Sequence, residues 1–480
     1  MSADVCVVGA GIAGLTTAYL LARAGRSVVV LDDGPAGSGQ TSRTTAHLSC
    51  AIDDRIYEIE RLHGELGARL AVASHASAID RIEEIAAAEQ ISCDFQRLDG
   101  YLFLPPGEDG GILEREREAA VKAGLADVVL LSAEQSGLGL GPCLRFPRQG
   151  QFHPLRYLYG LLQAFEKHGG RFFVNTHATE TEGGTPARVA TAGGPAITAG
   201  AIVVATNSPV NDRVKIHTKL SAYLSYVVGL RVPRGAVTRA LYWDTADPYH
   251  YVRLHQEAGD GQEAHDVLIV GGEDHRTGQA DDGEARFRRL EAWARERFPA
   301  AREVAYRWSG QVMETIDGLA FIGRNPLDHE SVYVATGDSG MGMTHGTIAG
   351  MIIADLITGQ PNPWAALYEP SRKTLLAAGE FTRENARTNW QYKDWLTPGD
   401  VDSVDAIVRG AGAVLRRGMS KVAVYRDDEG AVHEMSAVCP HLGCIVSWNP
   451  TERTWDCPCH GSRFDCRGKV INGPANRDLE

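Results

Sequence analysis

The sequence is poor in cysteine, in positive charge and in long hydrophobic runs. Nine cysteines in 480 residues are too few for a disulfide scaffold. The formal net charge of −13 argues against nucleic acid as a partner, because a phosphate backbone needs a basic surface. No apolar run reaches the roughly 18 residues that cross a bilayer. The glycine-broken N-terminal stretch also lacks the basic leader of a secretion signal. We therefore expect no membrane span and a cytoplasmic location.

Length and cysteine placement indicate more than one folded unit. A chain of 480 residues usually divides into two or three domains. Five of the nine cysteines lie between Cys439 and Cys466, whereas the other four are scattered through the first 143 residues. Scattered cysteines are most often small buried apolar residues, but a cluster of this density usually holds a metal. The C-terminal part is thus predicted to be a separate metal-binding domain.

The stretch DVCVVGAGIAGL (4–15) opens a nucleotide-binding unit. A short apolar strand precedes it, a helical segment follows, and a second apolar strand ends at Asp32. In such a unit Gly9 permits a tight turn, Gly11 lets a pyrophosphate approach the backbone, and Gly14 lets helix and strand pack closely. Ala13 lies between these glycines, where the helix N-terminus offers N–H groups to phosphates. Asp32 is placed to accept hydrogen bonds from a ribose.

Four segments then resemble the D-amino-acid-oxidase-like (DAO) superfamily of FAD enzymes. They are GSGQTSRTTAHLS (37–49), AIVVATNSP (201–209), RWSGQVMETIDGLAFIG (307–323) and VYVATGDSGMGMTHGTIAG (332–350). The resemblance implies FAD as cofactor, with a loop beneath the flavin and a helix N-terminus facing its N1–C2=O edge, where a positive helix end stabilises negative charge. The residues that it assigns to FAD in these segments are Arg43, Thr44, Thr45, Gly340, Gly342, Met343 and Thr344.

The resemblance also predicts an interleaved domain arrangement. The fold class would be an α/β FAD-binding domain of the Rossmann-like, glutathione-reductase type, with an α+β substrate domain and a small all-β domain. We predict the FAD-binding domain at residues 1–75, 151–210 and 315–385, the substrate domain at 76–150 and 211–314, a linker at 386–400, and the last domain at 401–480.

Candidate catalytic residues are few. In the strand-like stretch 240–256, Arg253 with Tyr249 or Tyr251 could hold a substrate carboxylate, because a guanidinium suits that group. A surface arginine lying along the sheet is the alternative. His47 and His345 flank the segments assigned to the flavin and could touch flavin or substrate, although a packed or capping role fits the pattern better.

The same stretch contains a misleading string. Asp247-x2-His250-x4-His255 matches the mononuclear iron motif of Rieske oxygenases, whose ligands must converge on one face. On a strand, His250 and His255 point to opposite faces. We therefore interpret the match as coincidence.

The C-terminal motifs CPHLGC (439–444) and CPCHGS (457–462) each supply one cysteine and one histidine. Zinc is the alternative metal, but zinc fingers and ribbons favour pairs of cysteines within one loop. The strings resemble the Rieske [2Fe–2S] domain. By that resemblance Cys439 and Cys457 bind one iron, His441 and His460 bind the other, and Cys444 and Cys459 form a disulfide, which needs burial to persist in a reducing cytoplasm.

Two further positions bear on the redox potential. Imidazole ligands place Rieske clusters at roughly −150 to +300 mV. Ser462 matches a position whose hydroxyl bonds a cluster sulfide and raises the potential, and Phe464 stands where high-potential relatives carry a tyrosine that donates to a ligand sulfur. The combination predicts a potential in the middle of that window.

The two cofactors together predict an enzyme that couples a two-electron oxidation to single-electron transfers. An amine or amino acid would give up a hydride at the flavin, and the electrons would leave singly through the cluster to an external acceptor. The reverse flow, with electrons entering from a donor to support a reductive or oxygen-dependent step, stays open. A pure electron carrier is a third reading, which the large substrate domain disfavours. A homo-oligomer is also left open.

Overall fold

The structure is a computed structural model that describes residues 1–211, 216–257, 264–326 and 328–480. In these residues the strands are β1 (Ser2–Val8), β2 (Val28–Leu31), β3 (His47–Leu48), β4 (Gln96–Phe103), β5 (Val129–Leu131), β6 (Cys143–Gln151), β7 (Arg171–Phe173), β8 (Ala178–Glu182), β9 (Ala187–Thr191), β10 (Ala196–Val204), β11 (Leu220–Pro233), β12 (Leu241–Asp244), β13 (His250–Gln256), β14 (His265–Arg276), β15 (Val304–Thr315), β16 (Phe321–Arg324), β17 (Val332–Thr336), β18 (Ala411–Arg417), β19 (Ser420–Arg426), β20 (Val432–Ser436), β21 (Ser447–Asn449), β22 (Thr454–Asp456), β23 (Arg463–Phe464) and β24 (Val470–Asn472).

The α-helices of the same residues are α1 (Ile12–Arg23), α2 (Ile56–Ala88), α3 (Gly111–Lys122), α4 (Ala133–Ser136), α5 (Pro154–Lys167), α6 (Gly283–Arg297), α7 (Gly342–Thr358), α8 (Ala365–Tyr368) and α9 (Ala378–Trp390). None of the described helices is long and apolar enough to cross a membrane.

The first sheet contains the predicted βαβ unit. Its strands follow the order β16-β17-β10-β1-β2-β7, with the β8–β9 hairpin attached to β10. Strands β17, β10, β1, β2 and β7 are parallel, and in all but the edge strand β7 most apolar residues are buried on both faces, as a parallel sheet covered by helices requires. Helices α1 and α7 pack against each other beside this sheet. The carboxyl ends of β1, β2, β10 and β17 therefore open at one edge, where ligands of such sheets bind.

The second sheet is mostly antiparallel. Its strands follow the order β15-β11-β14-β13-β12-β4-β6-β3, with β5 paired to β6. Long strands β11, β14 and β15 form one end, and α6 packs on β11 and β14. Strand β3 follows the glycine-rich loop of the first sheet and joins this second sheet, so the loop 37–49 bridges both sheets.

Two small sheets build the C-terminal part, β18-β19-β20 and β21-β22-β23-β24. They share a core around the fully buried Trp455 and Phe464. Helix α9 runs into the range predicted as linker. There Tyr392 and Trp395 donate hydrogen bonds to the carbonyl groups of Leu442 (2.8 Å) and Gly443 (2.9 Å). The connection is thus attached to the small domain beside its first cysteine loop.

Most elements expected from the sequence are present. The helix of 153–170 is α5, and the stretch 240–256 is two strands, β12 and β13, separated by a turn. The domain boundaries stay a prediction, and α2 runs across the one placed after residue 75.

Candidate functional site

The glycine turn after β1 closes tightly on its neighbours. Gly9 has φ +105°, and a Cβ added there would lie 2.4 Å from the carbonyl oxygen of Ala205. A Cβ on Gly14 would lie 1.9 Å from the carbonyl oxygen of Gly9, because the first turn of α1 packs directly on this loop. These contacts leave the N–H groups at the start of α1 open toward the edge of the sheet, which suits a pyrophosphate.

Asp32 follows β2 at the same edge. Its carboxylate accepts hydrogen bonds from the main-chain N–H groups of Ala10 (2.6 Å) and Gly34 (2.9 Å). Burial raises the pKa of Asp32 to about 6, and these two hydrogen bonds oppose the rise. The carboxylate is therefore fixed beside the turn, and it retains acceptor positions for a ribose hydroxyl.

A cavity of about 1060 Å³ extends along the carboxyl ends of these strands. The predicted cofactor residues that line it are Gly9, Gly11, Ala13, Asp32, Arg43, Thr44, Thr45, Gly340, Gly342 and Met343. Gly14 lies behind the turn, and the Thr344 hydroxyl lies 2.8 Å from His75 Nδ1 within the helix packing. Ten of the twelve predicted cofactor residues thus share one cavity.

The cavity wall has the properties of a ligand site. Among the described residues, Asn207 Nδ2 and Gln311 Oε1 are buried on this wall without a protein hydrogen-bond partner. Buried polar atoms are normally satisfied, so a ligand is the expected partner. The volume, the glycine turn and these atoms fit FAD.

Two of the predicted catalytic residues, His47 and Tyr251, line the cavity. Tyr251 donates to or accepts from the Ser225 hydroxyl at 2.7 Å. His47 lies edge-on to Tyr251, and both of its ring nitrogens have protein partners, Thr45 Oγ1 at 3.1 Å and the carbonyl oxygen of Val252 at 3.2 Å. Burial lowers the pKa of His47 to about 3. This histidine is therefore neutral and held in place.

The structure places the other two candidates, Arg253 and His345, outside the cavity lining. Arg253 is 5% exposed, lies outside the cavity lining and donates from Nε to the carbonyl group of Thr45. It supports the flavin-loop backbone, and it neither faces a substrate carboxylate nor lies on the surface. His345 is buried inside α7 against His75, and its Nδ1 is 2.7 Å from the carbonyl oxygen of Asp338. Because its ring points into the helix packing, it does not line the cavity.

The wall that faces Gly340 is aromatic and acidic. Tyr249 donates a 2.8 Å hydrogen bond to Asp53. Asp53 in turn lies against Gly340, because a Cβ added to Gly340 would be 2.2 Å from the Oδ2 atom of Asp53. Asp338 and Trp243 complete this wall. We call these four residues with Tyr251 the acidic aromatic wall.

Burial raises the pKa of the carboxyl groups around this wall. The pKa of Asp338 is raised to about 7, and the pKa of Asp53 is also raised, although its bond from Tyr249 opposes the rise. Behind them, burial and neighbouring carboxylates raise the pKa of Asp274 to about 7 and that of Glu314 further. Carboxyl groups are crowded here, and a bound cation would favour their charged forms.

The iron-oxygenase string has another structural role. His250 and His255 fall on opposite faces of β13, as expected. His250 Nδ1 lies 2.9 Å from Asp244 Oδ2, and its ring stacks on Trp293. Asp247 lies in the turn between β12 and β13. The three residues do not converge, so the coincidence interpretation is confirmed.

The C-terminal motifs form two facing loops. One loop lies between β20 and β21 and carries Cys439 and His441, and the other lies between β22 and β23 and carries Cys457 and His460. The rings of His441 and His460 are 5.0 Å apart between centroids. His460 Nδ1 is buried and has no hydrogen-bond partner among the described residues. Burial lowers the pKa of His460 to about 3, so its ring is neutral, as a metal ligand requires.

The two cysteines predicted to be cluster ligands, Cys439 and Cys457, are coupled. A hydrogen bond with Cys457 lowers the pKa of Cys439 to about 7, and N–H groups of its own loop add to this effect. The same hydrogen bond, followed by burial, raises the pKa of Cys457. A pair of buried thiols that shares a proton, opposite a neutral imidazole without a partner, fits the four-ligand set of a Rieske cluster.

Cys444 and Cys459 form a disulfide that ties the two loops together. Both cysteines are buried, at 1% and 7% exposure. The disulfide therefore has the burial that it needs to persist in a reducing environment. Ser462 is fully buried in the second loop, and its hydroxyl accepts a hydrogen bond from the N–H of Ala475 (3.0 Å), so the 473–475 loop is fastened beside the cluster site.

Ser462 and Phe464 lead to a paired prediction for the cluster potential. We expect Ser462→Ala to lower the midpoint potential by about 60 mV, because losing one hydrogen bond of about 1.4 kcal/mol to the reduced cluster corresponds to that shift in a one-electron couple. Phe464→Tyr should shift it upward by a similar amount. Redox titration of the full chain checks both. Equal potentials in all three proteins would contradict the assignment.

The small domain docks on the second sheet close to the cavity. Gln311 lines the cavity, and its Nε2 donates a 2.7 Å hydrogen bond to the carbonyl group of Gly461, the residue after His460. The ring of His217 packs edge-on to His441 (4.8 Å between centroids) and to His460 (6.1 Å). The predicted flavin site and cluster site are thus adjacent within one chain.

Sequence reasoning missed the residues that join these sites. Gln311 lies inside a segment assigned to FAD, but nothing in its neighbours distinguishes it. Asp53 and Asp338 are also far apart in the chain and meet only in the fold. Their common feature in the sequence is that each follows an apolar strand or a glycine-rich loop that ends at the cavity.

Comparison with known proteins agrees with this geometry. Residues 4–356 match the family of FAD dependent oxidoreductases (DAO), and residues 396–480 match the Rieske [2Fe-2S] domain. The Bacillus subtilis protein YhfW, a Rieske 2Fe-2S iron-sulfur protein by its name, is 32% identical over 99% of this chain and 92% of its own. Gamma-glutamylputrescine oxidoreductase of Escherichia coli is 29% identical over 75% of this chain and 84% of its own.

A solved structure shows the same fold. Glycine oxidase from Geobacillus kaustophilus superposes with a TM-score of 0.64 at 19% identity, over 78% of this chain and 99% of that chain. The predicted fold class is therefore confirmed, and so are the predicted cofactors, FAD and a [2Fe–2S] cluster. The chain belongs to the DAO family of FAD-dependent oxidoreductases and carries a Rieske [2Fe–2S] domain at its C-terminal end.

Proposed function

We propose that this enzyme oxidises a cationic amine without a neighbouring carboxylate, and that the electrons leave through the Rieske cluster to an external acceptor. The acidic aromatic wall carries this proposal. Carboxylates and aromatic faces attract an ammonium group. The arginine expected to hold a substrate carboxylate, Arg253, lies outside the cavity. The Escherichia coli relative is named for a derivative of the amine putrescine, which supports the same class.

Bound FAD would supply the hydride acceptor. In our proposal the chain's own residues bind and prepare the amine. Asp53, fixed by Tyr249, accepts hydrogen bonds from the ammonium group, and the ring of Tyr251 packs against its carbon chain. An ammonium group must lose a proton before a hydride can leave the neighbouring carbon. Asp338, whose pKa is about 7, suits this role because a base works best near the ambient pH.

Docking of the small domain beside the cavity supports the proposed route of electrons from the flavin to the cluster. Gln311 connects the cavity wall to the loop of His460, so the two redox centres meet inside one chain without a carrier. Anaerobic mixing with substrate tests the direction of flow. Loss of flavin absorbance before loss of cluster absorbance is expected. Reduction of the cluster by substrate ahead of the flavin would contradict it.

The substrate class is tested by matched pairs. We expect a primary amine to reduce the flavin at least ten times faster, in kcat/KM, than the α-amino acid with the same side chain, since an unpaired carboxylate near Asp53 or Asp338 costs roughly 1.4 kcal/mol or more. Rapid-mixing absorbance measures both. Equal rates for the two members of each pair would refute the amine assignment.

The variants Asp53→Asn and Asp338→Asn should each weaken binding of a quaternary ammonium analogue about tenfold, because each removes one negative charge from the wall. Asp127→Asn, which changes an exposed carboxylate far from the cavity, is the matched control. Titration of the flavin absorbance with the analogue measures the affinity. Unchanged affinity in both wall variants would exclude these carboxylates from the site.

Affinity for the same analogue should depend on pH. Because the pKa of Asp338 is raised to about 7, its negative charge appears as the pH rises through 7 and is lost below it. We therefore expect binding to strengthen about tenfold from pH 6 to pH 8. A permanently charged analogue keeps its own charge constant over this range. Tightening that persists in Asp338→Asn would assign the effect to another group.

A further inference from the structure

The cavity is not built by the DAO part of the chain alone. A stretch of the Rieske domain, residues 469–478, also lines it, through Lys469, Asn472, Gly473, Asn476 and Arg477 among others. We call this stretch the Rieske flap. Nothing in the glycine turn or the flavin segments requires a wall from another domain.

The flap lies at the Asp32 end of the cavity. Strand order places β2 and β7 at one side of the parallel sheet and β17 at the other, so Asp32 and the acidic aromatic wall are at opposite ends. The chain after β7 stays beside Asp32, since the N–H of Thr176 donates a 2.8 Å hydrogen bond to the carbonyl group of Asp32. Thr176, Ala178 and Thr179 line the cavity there. This end therefore receives the ribose and base of a dinucleotide.

Side-chain contacts attach the flap to this end. Asn476 Nδ2 donates hydrogen bonds to the carbonyl groups of Ala178 (3.0 Å) and Thr179 (3.1 Å). His177 connects the two parts, with Nε2 3.3 Å from the carbonyl oxygen of Asn476 and Nδ1 3.4 Å from Asp33. The flap is thus hydrogen-bonded to the segment that borders the nucleotide end.

Packing and charge agree with a ligand between the two domains. A Cβ on Gly473 would lie 3.2 Å from Val210 and 3.3 Å from the carbonyl oxygen of Ser208, so the flap closes on the loop after β10. Lys469 and Arg477 bring two positive charges to this end, beside the carboxyl groups of Asp32, Asp33, Asp478 and Glu480. These two cations would offset part of the negative charge around the nucleotide end.

We propose that the Rieske domain completes the FAD site. The flap covers the adenosine half of FAD, Asn476 fixes the flap to the segment 176–179, and Arg477 adds an electrostatic contact. Release of FAD then requires the flap to move, so cofactor retention depends on docking of the iron–sulfur domain. This inference rests on FAD binding alone and is independent of the substrate and of the direction of electron flow.

Affinity of the full chain for FAD tests the inference. We expect Asn476→Ala and Arg477→Gln each to raise the Kd for FAD about tenfold, as measured by free-flavin fluorescence after ultrafiltration. Arg467→Gln, an exposed arginine of the same domain outside the cavity, should leave the Kd unchanged. Cluster absorbance, which should be equal in all four proteins, verifies that the small domain is folded. An FAD affinity within twofold of the parent in both flap variants would overturn the inference.

Hydrogen exchange gives a second, variant-free test. Adding FAD to cluster-loaded protein from which flavin has been removed should slow backbone exchange in residues 469–478. Exchange in the strands β18 to β20, on the other sheet of the same domain, should not change. If FAD protects the glycine turn but leaves the flap exchange unaltered, the flap does not cover the cofactor.

Discussion

Cys457→Ser is expected to remove both irons from the protein and, in the proposed electron flow, to stop reduction of an external acceptor. Cys457 is 1% exposed and shares a proton with Cys439, so the two thiols form a single ligand pair. A serine hydroxyl does not ionise near neutral pH and is a poor iron ligand. Because altering even the partners of metal ligands costs 10–100-fold in affinity, loss of a ligand should cost on the order of 100-fold or more. Iron and sulfide analysis with acceptor-reduction assays measures both effects.

The matched control for this prediction is Cys466→Ser. Cys466 belongs to the same domain and is half-buried, and its main-chain carbonyl group accepts a 3.4 Å hydrogen bond from Trp455, which the substitution leaves intact. Full iron content and normal acceptor reduction are expected. In FAD-saturated Cys457→Ser protein, substrate should still bleach the flavin. Retention of both irons in Cys457→Ser would show that the ligand set is wrong.

Gly14→Ala should strongly weaken FAD binding. The new methyl group would lie 1.9 Å from the carbonyl oxygen of Gly9, and this backbone contact cannot be relieved by rotating a side chain. The turn must open, which misplaces the N–H groups that face the pyrophosphate. Overpacking of this kind costs about 1–3 kcal/mol of stability, and we expect at least a tenfold loss of FAD affinity. Flavin content and thermal unfolding measure the two effects.

Gly25→Ala separates the two effects. Gly25 ends the same helix α1 at φ +78°, and a Cβ there meets no atom within 4 Å. A methyl group at this positive φ should cost about 1 kcal/mol of stability. FAD affinity should be unchanged because the substitution lies far from the turn. Equal FAD affinity in Gly14→Ala and Gly25→Ala would contradict the role given to the turn.

Local patterns predicted the parts of the site that are continuous in sequence. The turn around Gly9 and the loops of Cys439 and Cys457 each lie within a few residues, so spacing alone determines which side chains meet. The strand and helix periods also located α1, α5 and β13. The position of His250 and His255 on opposite faces of β13 followed from the alternation of side chains along a strand, without any tertiary information.

Parts assembled from distant segments could not be predicted in this way. Arg253 was expected in the substrate site because a guanidinium suits a carboxylate and tyrosines lie nearby in the same stretch, yet its Nε donates to the backbone of Thr45. That contact joins segments more than 200 residues apart. Asp53 and Asp338 are likewise distant in the chain. They line the same cavity only because the whole chain folds around it.

The packing of His217 on the two histidines predicted to bind the cluster has a consequence for any electron acceptor in the proposed function. A Rieske cluster whose imidazoles face outward can touch a partner protein directly. Here the chain's own ring covers that surface in the docked arrangement. A bulky oxidant that accepts electrons in the proposed flow should therefore approach the cluster from a side other than the one that His217 covers.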